Sequence, residues 1–193
     1  MDYFIADLHL GHKNVIMHDN RPFHTIEEHD QVIIENWNEK VWNPKDNVYI
    51  IGDISWHNTE TTIRLVKALN GNKHLIVGNH DKKLIKNSEF CSLFSEITYY
   101  KELQITKDKG IVLCHYPIPC FNHHYHEWVH LYGHVHNSSE WQLMERIRFE
   151  MEKIDNIPCN MYNVGCMMKY IEYTPKTLGE ITEGYHKVCD DMC

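Results

Sequence analysis

No stretch of the 193-residue sequence approaches the ~20 consecutive apolar residues that a membrane span requires. A membrane partner is therefore not expected. The N-terminus, Met1-Asp2-Tyr3-Phe4-Ile5-Ala6-Asp7, lacks a basic segment followed by an apolar one, so no secretory leader is indicated and a cytoplasmic location is expected. Basic charge is scarce. The 19 Lys and Arg against 27 Asp and Glu leave a net charge of -8 at pH 7, which argues against non-specific binding to nucleic acid. The same deficit leaves a phosphorylated substrate open, because bound cations can supply the positive charge that side chains do not. Paired cysteines are missing as well. Cys91, Cys114, Cys120, Cys159, Cys166, Cys189 and Cys193 are odd in number, scattered, and contain no Cys-x-x-Cys, so they read as reduced thiols and neither as a disulfide framework nor as a structural zinc site. No repeat, low-complexity segment or flexible linker interrupts the chain, which reads as one domain over residues 1–193.

What the sequence does hold is a globular hydrophobic content of 42% and 16 histidines, a number for which position has to account. Tyr3-Phe4-Ile5-Ala6 reads as a short strand that opens onto Asp7-Leu8-His9. Thr25, with Glu28 three residues on, caps an amphipathic helix from Ile26 to about Val41. Val48-Tyr49-Ile50-Ile51 is a buried strand stopping at Gly52-Asp53, and Thr59 is the expected cap of a helix to about Leu69. Leu75-Ile76-Val77 then runs into Gly78-Asn79-His80-Asp81. Beyond it, Ile97–Ile105 and Ile111–Cys114 read as strands joined by a turn at 107–110, and Val129-His130-Leu131-Tyr132 and Met161-Tyr162-Asn163-Val164 as two more. Helices are expected from Ser139 to about Ile154 and from about Thr177 to Val188. Strands alternating with polar loops and helices give an α/β fold, in which sites gather at the strand ends.

Five strand ends carry polar groups: Asp7 and His9, Asp53, Asn79 and His80, His115, and His134 with His136. Each alone has a plain structural explanation: a chance Asp-x-His, a Gly-Asp turn, a satisfied core histidine. Together they place oxygen and nitrogen donors at one end of the strands. Carboxylate, imidazole and amide ligands suit manganese, iron, zinc or nickel, and two divalent ions ~3.5–4 Å apart need about seven of them with one bridging carboxylate.

The ordered blocks Asp-x-His, Gly-Asp, Gly-Asn-His-Asp, His and Gly-His-x-His resemble the signature of the calcineurin-like metallophosphoesterase superfamily, and they span residues 7 to 136. Asn20-Arg21-Pro22-Phe23, Cys114-His115-Tyr116-Pro117 and Asn163-Val164-Gly165 look like its small bacterial and phage members. The resemblance implies a four-layer α/β/β/α sandwich of two mixed sheets flanked by helices. It implies two divalent metal ions, manganese first with iron, nickel or zinc as alternatives. Asp7, His9 and His136 would hold one, Asn79, His115 and His134 the other, and Asp53 would bridge them. Activated water between the metals would attack a phosphate ester, with His80, adjacent to ligand Asn79 but outside the ligand set, as general acid. The expected substrate is a small phosphorylated molecule, a nucleotide above all, as diester or monoester.

His12 and Arg21 are candidates for phosphate contact, and Arg21 reads equally well as a surface arginine beside a turn proline. Gly52-Asp53-Ile54-Ser55-Trp56-His57 lacks the acidic and arginine positions with which protein phosphatases of the superfamily extend this block, which disfavours phosphoprotein substrates. Close relatives carry an Asp shortly after Asn-Val-Gly where this chain has Cys166-Met167-Met168. His123-His124-Tyr125-His126 reads as a solvated loop or as part of a pocket rim, and Tyr125 and Trp128 as stacking platforms or core. A nuclease of the same fold and a metal-binding scaffold without catalysis are the competing functions.

Overall fold

Four short strands of the computed structural model, which describes residues 1–190, form a first sheet in the order β1 (Asp2–Ile5), β2 (Asn47–Ile51), β3 (Asn72–Ile76), β4 (Glu96–Thr98). Every pairing in it is parallel. Parallel neighbours need crossovers, and helices supply them. α1 (Val15–His18) and α2 (Ile26–Lys40) lie between β1 and β2, and α3 (Thr59–Lys67) between β2 and β3. A 3₁₀ turn (Asp81–Lys86) and α4 (Ser88–Cys91) lead to β4. The second sheet has the order β5 (Tyr100–Gln104), β6 (Gly110–Cys114), β7 (Val129–Tyr132), β8 (Met161–Asn163), with β5 antiparallel to β6 and the rest parallel. α5 (Ser139–Phe149), extended by a π turn to Ile154, and α6 (Leu178–Asp190) complete the order.

The expected α/β fold of two sheets flanked by helices is borne out. The second sheet is mixed as expected, whereas the first is parallel throughout and, among the described residues, meets an antiparallel partner only in the isolated bridge Phe4–Lys176. Alternation along the second sheet divides its side chains between two cores. Ile111, Leu113, Leu131 and Tyr162 join the large core with β1, β2, β3, Ile33 and Trp37 of α2, and Ile63 and Val66 of α3. Val112, Tyr132 and Met161 join a smaller one against Met144 and Ile147 of α5.

Thr25 caps α2 by accepting the Glu28 N–H at 3.1 Å. The Glu28 carboxylate reaches back to the N–H of His24 instead of closing the box on Thr25 itself. α3 is capped by Asn58, one residue earlier than expected, its side chain accepting from the Thr61 N–H at 2.8 Å. The single strand expected over 97–105 is two, because the chain passes from the first sheet to the second between Thr98 and Tyr100. The five cysteines from Cys91 to Cys166 are free thiols. Cys193 and the side chain of Cys189 lie outside the described residues. No helix among the described residues is long and apolar enough to cross a membrane.

Candidate metal centre

β1, β2, β3, β6 and β7 all deliver their polar groups from their C-terminal ends, the side on which open α/β sheets form their crevice. The crevice lies between the two sheets. Asp7, His9, Asp53 and Asn79 come from the first sheet, and His115, His134 and His136 from the second.

The structure brings these seven residues together. Ligand atoms of Asp7, His9 and His136 lie within 4.8 Å of one another, as do those of Asp7, Asp53 and His115. His9 Nε2 is 3.1 Å from His136 Nε2. Asn79 Oδ1 is 3.0 Å from both His115 Nε2 and His134 Nδ1. Asp53 Oδ2 stands between these sets, 3.7 Å from His9 Nε2 and 3.5 Å from His115 Nε2. The His134 N–H donates to the Asp7 carboxylate at 3.0 Å, which ties one sheet's donor to the other's.

Five of the seven share an uncommon backbone conformation, which six other described residues, Asn20, His123, Glu127, Asn156, Glu172 and Tyr173, also adopt. Asp7, His9, Asp53, His134 and His136 have φ of 54°, 49°, 57°, 70° and 49°. Left-handed backbone is uncommon for residues with a Cβ and concentrates at functional sites. Only tertiary structure shows it. Glycine answers a second need here, close approach, and Gly52 meets both, with φ of 85°. A Cβ built on Gly78 would lie 2.2 Å from Asp53 Oδ1, and one on Gly52 2.2 Å from His115 Nδ1. Gly78→Ala is therefore expected to displace the Asp53 carboxylate, to cost about 1–3 kcal/mol as overpacking, and to lower metal content. Full metal content in the purified variant would refute the clash.

Asp81, to which the sequence assigns no role, is fully buried, and its carboxylate accepts the N–H groups of Gly78, Asp53 and Ile54 at 2.8, 2.9 and 3.0 Å. It fixes the backbone on both sides of the crevice end of β2 and β3. Burial pushes its carboxyl upward in pKa, and the three backbone donors oppose that.

Arg21 occupies a different place from either one expected of it. It is neither a surface residue nor a phosphate contact, being 4% exposed with its guanidinium spent inside the protein. Nε and NH2 donate to Asp19 Oδ2 at 3.0 and 2.8 Å, NH2 also to the Asp7 carbonyl at 3.1 Å, and NH1 to the Leu8 carbonyl at 3.2 Å. NH1 also reaches His29 Nε2 at 2.8 Å and Cys166 Sγ at 3.2 Å, so the Cys166 thiol faces this cation behind the site. Asp19 in turn holds His136, accepting from Nδ1 at 2.8 Å and leaving Nε2 directed at His9. One ion pair thus clasps the backbone between Asp7 and His9 and orients His136. A carboxylate on the far nitrogen of a ligating histidine fixes its tautomer and raises its basicity.

His12 lies at the edge of the crevice, its ring stacked on Trp56 at 4.1 Å with an interplanar angle of 9°. Trp56, 44% exposed, also meets His80, at 4.2 Å between ring centroids. The His80 N–H donates to Asp53 Oδ1 at 3.0 Å, and its Nε2 is 3.9 Å from Asp53 Oδ2. The 123–126 histidine cluster borders the β5–β6 turn, next to Lys107 and Lys109. That is the Gly110 end of β6, five residues and about 17 Å from His115 at the rise of a strand, so it is no part of this rim. Trp128 is buried in the smaller core.

The donor set fits a cation. His115 Nδ1 faces the Ile51 carbonyl at 2.8 Å and must donate to it, so in the neutral ring Nε2 is a lone pair aimed at another acceptor, Asn79 Oδ1. With the Asn79 amide oxygen turned to the ring, as it stands here, a positive charge between them reconciles the pair. Without a metal, a proton takes that part. Burial would lower the His115 pKa, but the hydrogen bond to Asp53 and the charges of Asp7 and Asp53 raise it to about 9. Burial would likewise raise Asp53, yet His115, the His80 N–H and His9 hold it at about 2. His9 is pushed down to about 2, by burial first and His136 next, which keeps its ring neutral and able to ligate.

No family model matches the chain. The uncharacterized protein MJ1445 of Methanocaldococcus jannaschii is 35% identical over 138 residues, 69% of this chain and 68% of that protein. The gene 66 protein of Mycobacterium phage L5 is 38% identical over 82 residues, 41% of this chain and 39% of its own length. Among solved structures, the protein of unknown function AQ665 from Aquifex aeolicus superposes with a TM-score of 0.62 at 27% identity, covering 95% of this chain and 98% of that one. Pseudomonas putida nuclease MPE matches 70% of this chain and 60% of that one at 20% identity, with a TM-score of 0.40, too distant a likeness to bear on activity.

Proposed function

Because the chain belongs to the same family as the uncharacterized protein MJ1445 of Methanocaldococcus jannaschii, whose name carries no activity, we propose its function from the crevice itself: a cytoplasmic, dinuclear-metal-dependent phosphoesterase of the calcineurin-like type. The observation that carries this reading is the position of Asp53, one carboxylate oxygen within 4 Å of nitrogens from both donor groups. Asp7, His9 and His136 hold one divalent ion, Asn79, His115 and His134 the other, and Asp53 is shared. Manganese is the first candidate, with iron, nickel and zinc behind it. Bound there, such ions supply Lewis acidity toward phosphoryl oxygens and lower the pKa of water.

The chain's own groups do the rest. Asp81 and the Asp19–Arg21 pair keep the donors in place before substrate arrives, so little reorganisation remains at the moment of reaction. His80 belongs to neither donor group and its side chain is 41% exposed at the crevice. Its imidazole gives a proton to the leaving oxygen as the ester bond breaks. Its backbone bond to Asp53 and its contact with Trp56 hold it on one side of the crevice. The substrate is a small phosphorylated molecule, a nucleotide first.

Metal-loaded protein assayed on an aryl phosphodiester, an aryl phosphomonoester, cyclic nucleotides and single-stranded DNA tests this. Metal-dependent turnover of at least one small ester is expected. Inactivity on all of them with both ions bound would make the chain a metal-holding scaffold, and turnover of DNA alone would make it a nuclease.

A further inference from the structure

Beside His80 the crevice opens into a hollow of about 210 Å³ walled by Trp56, His57, Thr59, His80 and Lys83 over the buried Leu84. His80 is the cap of the 3₁₀ turn Asp81–Lys86. Residues three apart in a 3₁₀ turn eclipse one another, about 6 Å apart along its axis. His80, Lys83 and Lys86 therefore share one edge of the turn, with two ammonium groups in line behind the imidazole. Lys40, Lys67, Lys101 and Lys109 each pair with a carboxylate within 4 Å. Lys83 and Lys86, both exposed, have no such partner among the described residues, a lack they share with Lys82 and most other lysines of the chain, so it is position and not the lack of a partner that sets Lys83 apart. The charged groups of the adjoining hollow are mixed: Glu60, Arg64, and Lys67 with its partner Glu89. Lys83 is the lysine that reaches the space next to His80.

We propose that this hollow is the leaving-group subsite and that Lys83 selects a leaving alcohol carrying an anionic group of its own, a phosphate or a carboxylate. The inference rests on His80 as proton donor. In the hydrolysis, a water that has lost one proton to solvent forms the new bond from its oxygen to phosphorus, the bond to the leaving oxygen breaks with its electron pair, His80 delivers the proton that oxygen takes up, and solvent returns a proton to His80. The leaving group therefore lies on the His80 side of phosphorus, where the hollow is. Trp56 and His57 present aromatic surface to its body, and Lys83 meets its charge.

The test compares manganese-loaded wild type with Lys83→Ala and Lys83→Glu on two esters of like shape, 4-carboxyphenyl methyl phosphate and 4-carbamoylphenyl methyl phosphate. The ratio of kcat/KM, anionic over neutral, is expected to fall about threefold in Lys83→Ala, as for one exposed ion pair, and about tenfold on charge reversal. Added salt should shrink both effects, since the ammonium is exposed. Equal ratios in all three proteins would overturn the subsite. Should neither ester turn over in the wild type, the esterase reading fails for such diesters, and binding of the same pair followed by NMR decides the subsite alone. Tighter binding of the carboxylate that is lost in Lys83→Glu supports it; indifference to the substitution rejects it.

Discussion

Replacing Arg21 by alanine is expected to lower the midpoint of thermal unfolding by about 10 °C and to strip metal from the group formed by Asp7, His9 and His136. The guanidinium side chain is fully buried and Asp19 nearly so, at 0% and 6% exposed. Truncation leaves a carboxylate in the interior without its cation, and the carbonyls of Asp7 and Leu8 without a donor. Breaking a buried ion pair from one side costs about 3–5 kcal/mol, and in a chain of this size each kcal/mol moves the midpoint by about 2–4 °C. Asp19 would then no longer hold His136 at a fixed angle, and the two carbonyls flanking the Asp7–His9 turn would be free to shift. Arg21→Lys should fall between the two, since an ammonium keeps the charge without the planar fork that serves Asp19 and two carbonyls at once. Calorimetry and elemental analysis of the same preparations settle it. A variant that melts with the wild type and retains its metal would show that the pair is not the clasp described.

The second large effect is on rate. His80→Ala should slow hydrolysis of an alkyl phosphate ester about 100-fold while leaving metal content as it was, because the imidazole belongs to neither donor group and its Nε2 stands 3.9 Å from Asp53 Oδ2, beyond hydrogen-bond reach. An aryl ester with a good leaving group, which scarcely needs the proton, should lose much less. The backbone N–H that His80 donates to Asp53 survives the substitution, so the carboxylate keeps its position. Equal losses on the two esters would assign His80 to something other than proton delivery, and loss of metal would place it among the ligands.

The strand ends were legible in the sequence because each is a local contrast, an apolar run broken by a donor, as at Val77-Gly78-Asn79. The supporting groups were not. Asp81 is one residue past His80, but its three backbone partners lie on two different strand ends, and nothing in sequence spacing announces them. Arg21 and Asp19 form an ordinary turn pair until the fold carries Asp7, Leu8 and His136 up against them. The break between β4 and β5 was hidden for the opposite reason, since strand-forming residues continue through it while the chain changes sheets. At α3, Asn58 and Thr59 are both good caps, and the choice between them rests on one residue of register.

The five left-handed candidate ligands narrow the alphabet available to this crevice. Positive φ is tolerated by Asn, Asp and His well above other residues that have a Cβ, and Asn, Asp and His are also oxygen and nitrogen donors to a divalent ion. Glutamate and glutamine would satisfy the cation equally well but are less favoured on that backbone, although Glu127 and Glu172 adopt it elsewhere in the chain, at φ of 59° and 51°. Geometry and coordination thus favour the same three letters without excluding others. This is a reason, independent of side-chain reach, that the chain has Asp at positions 7 and 53 and His at 9, 134 and 136, and that lengthening either acid by one methylene would be resisted twice.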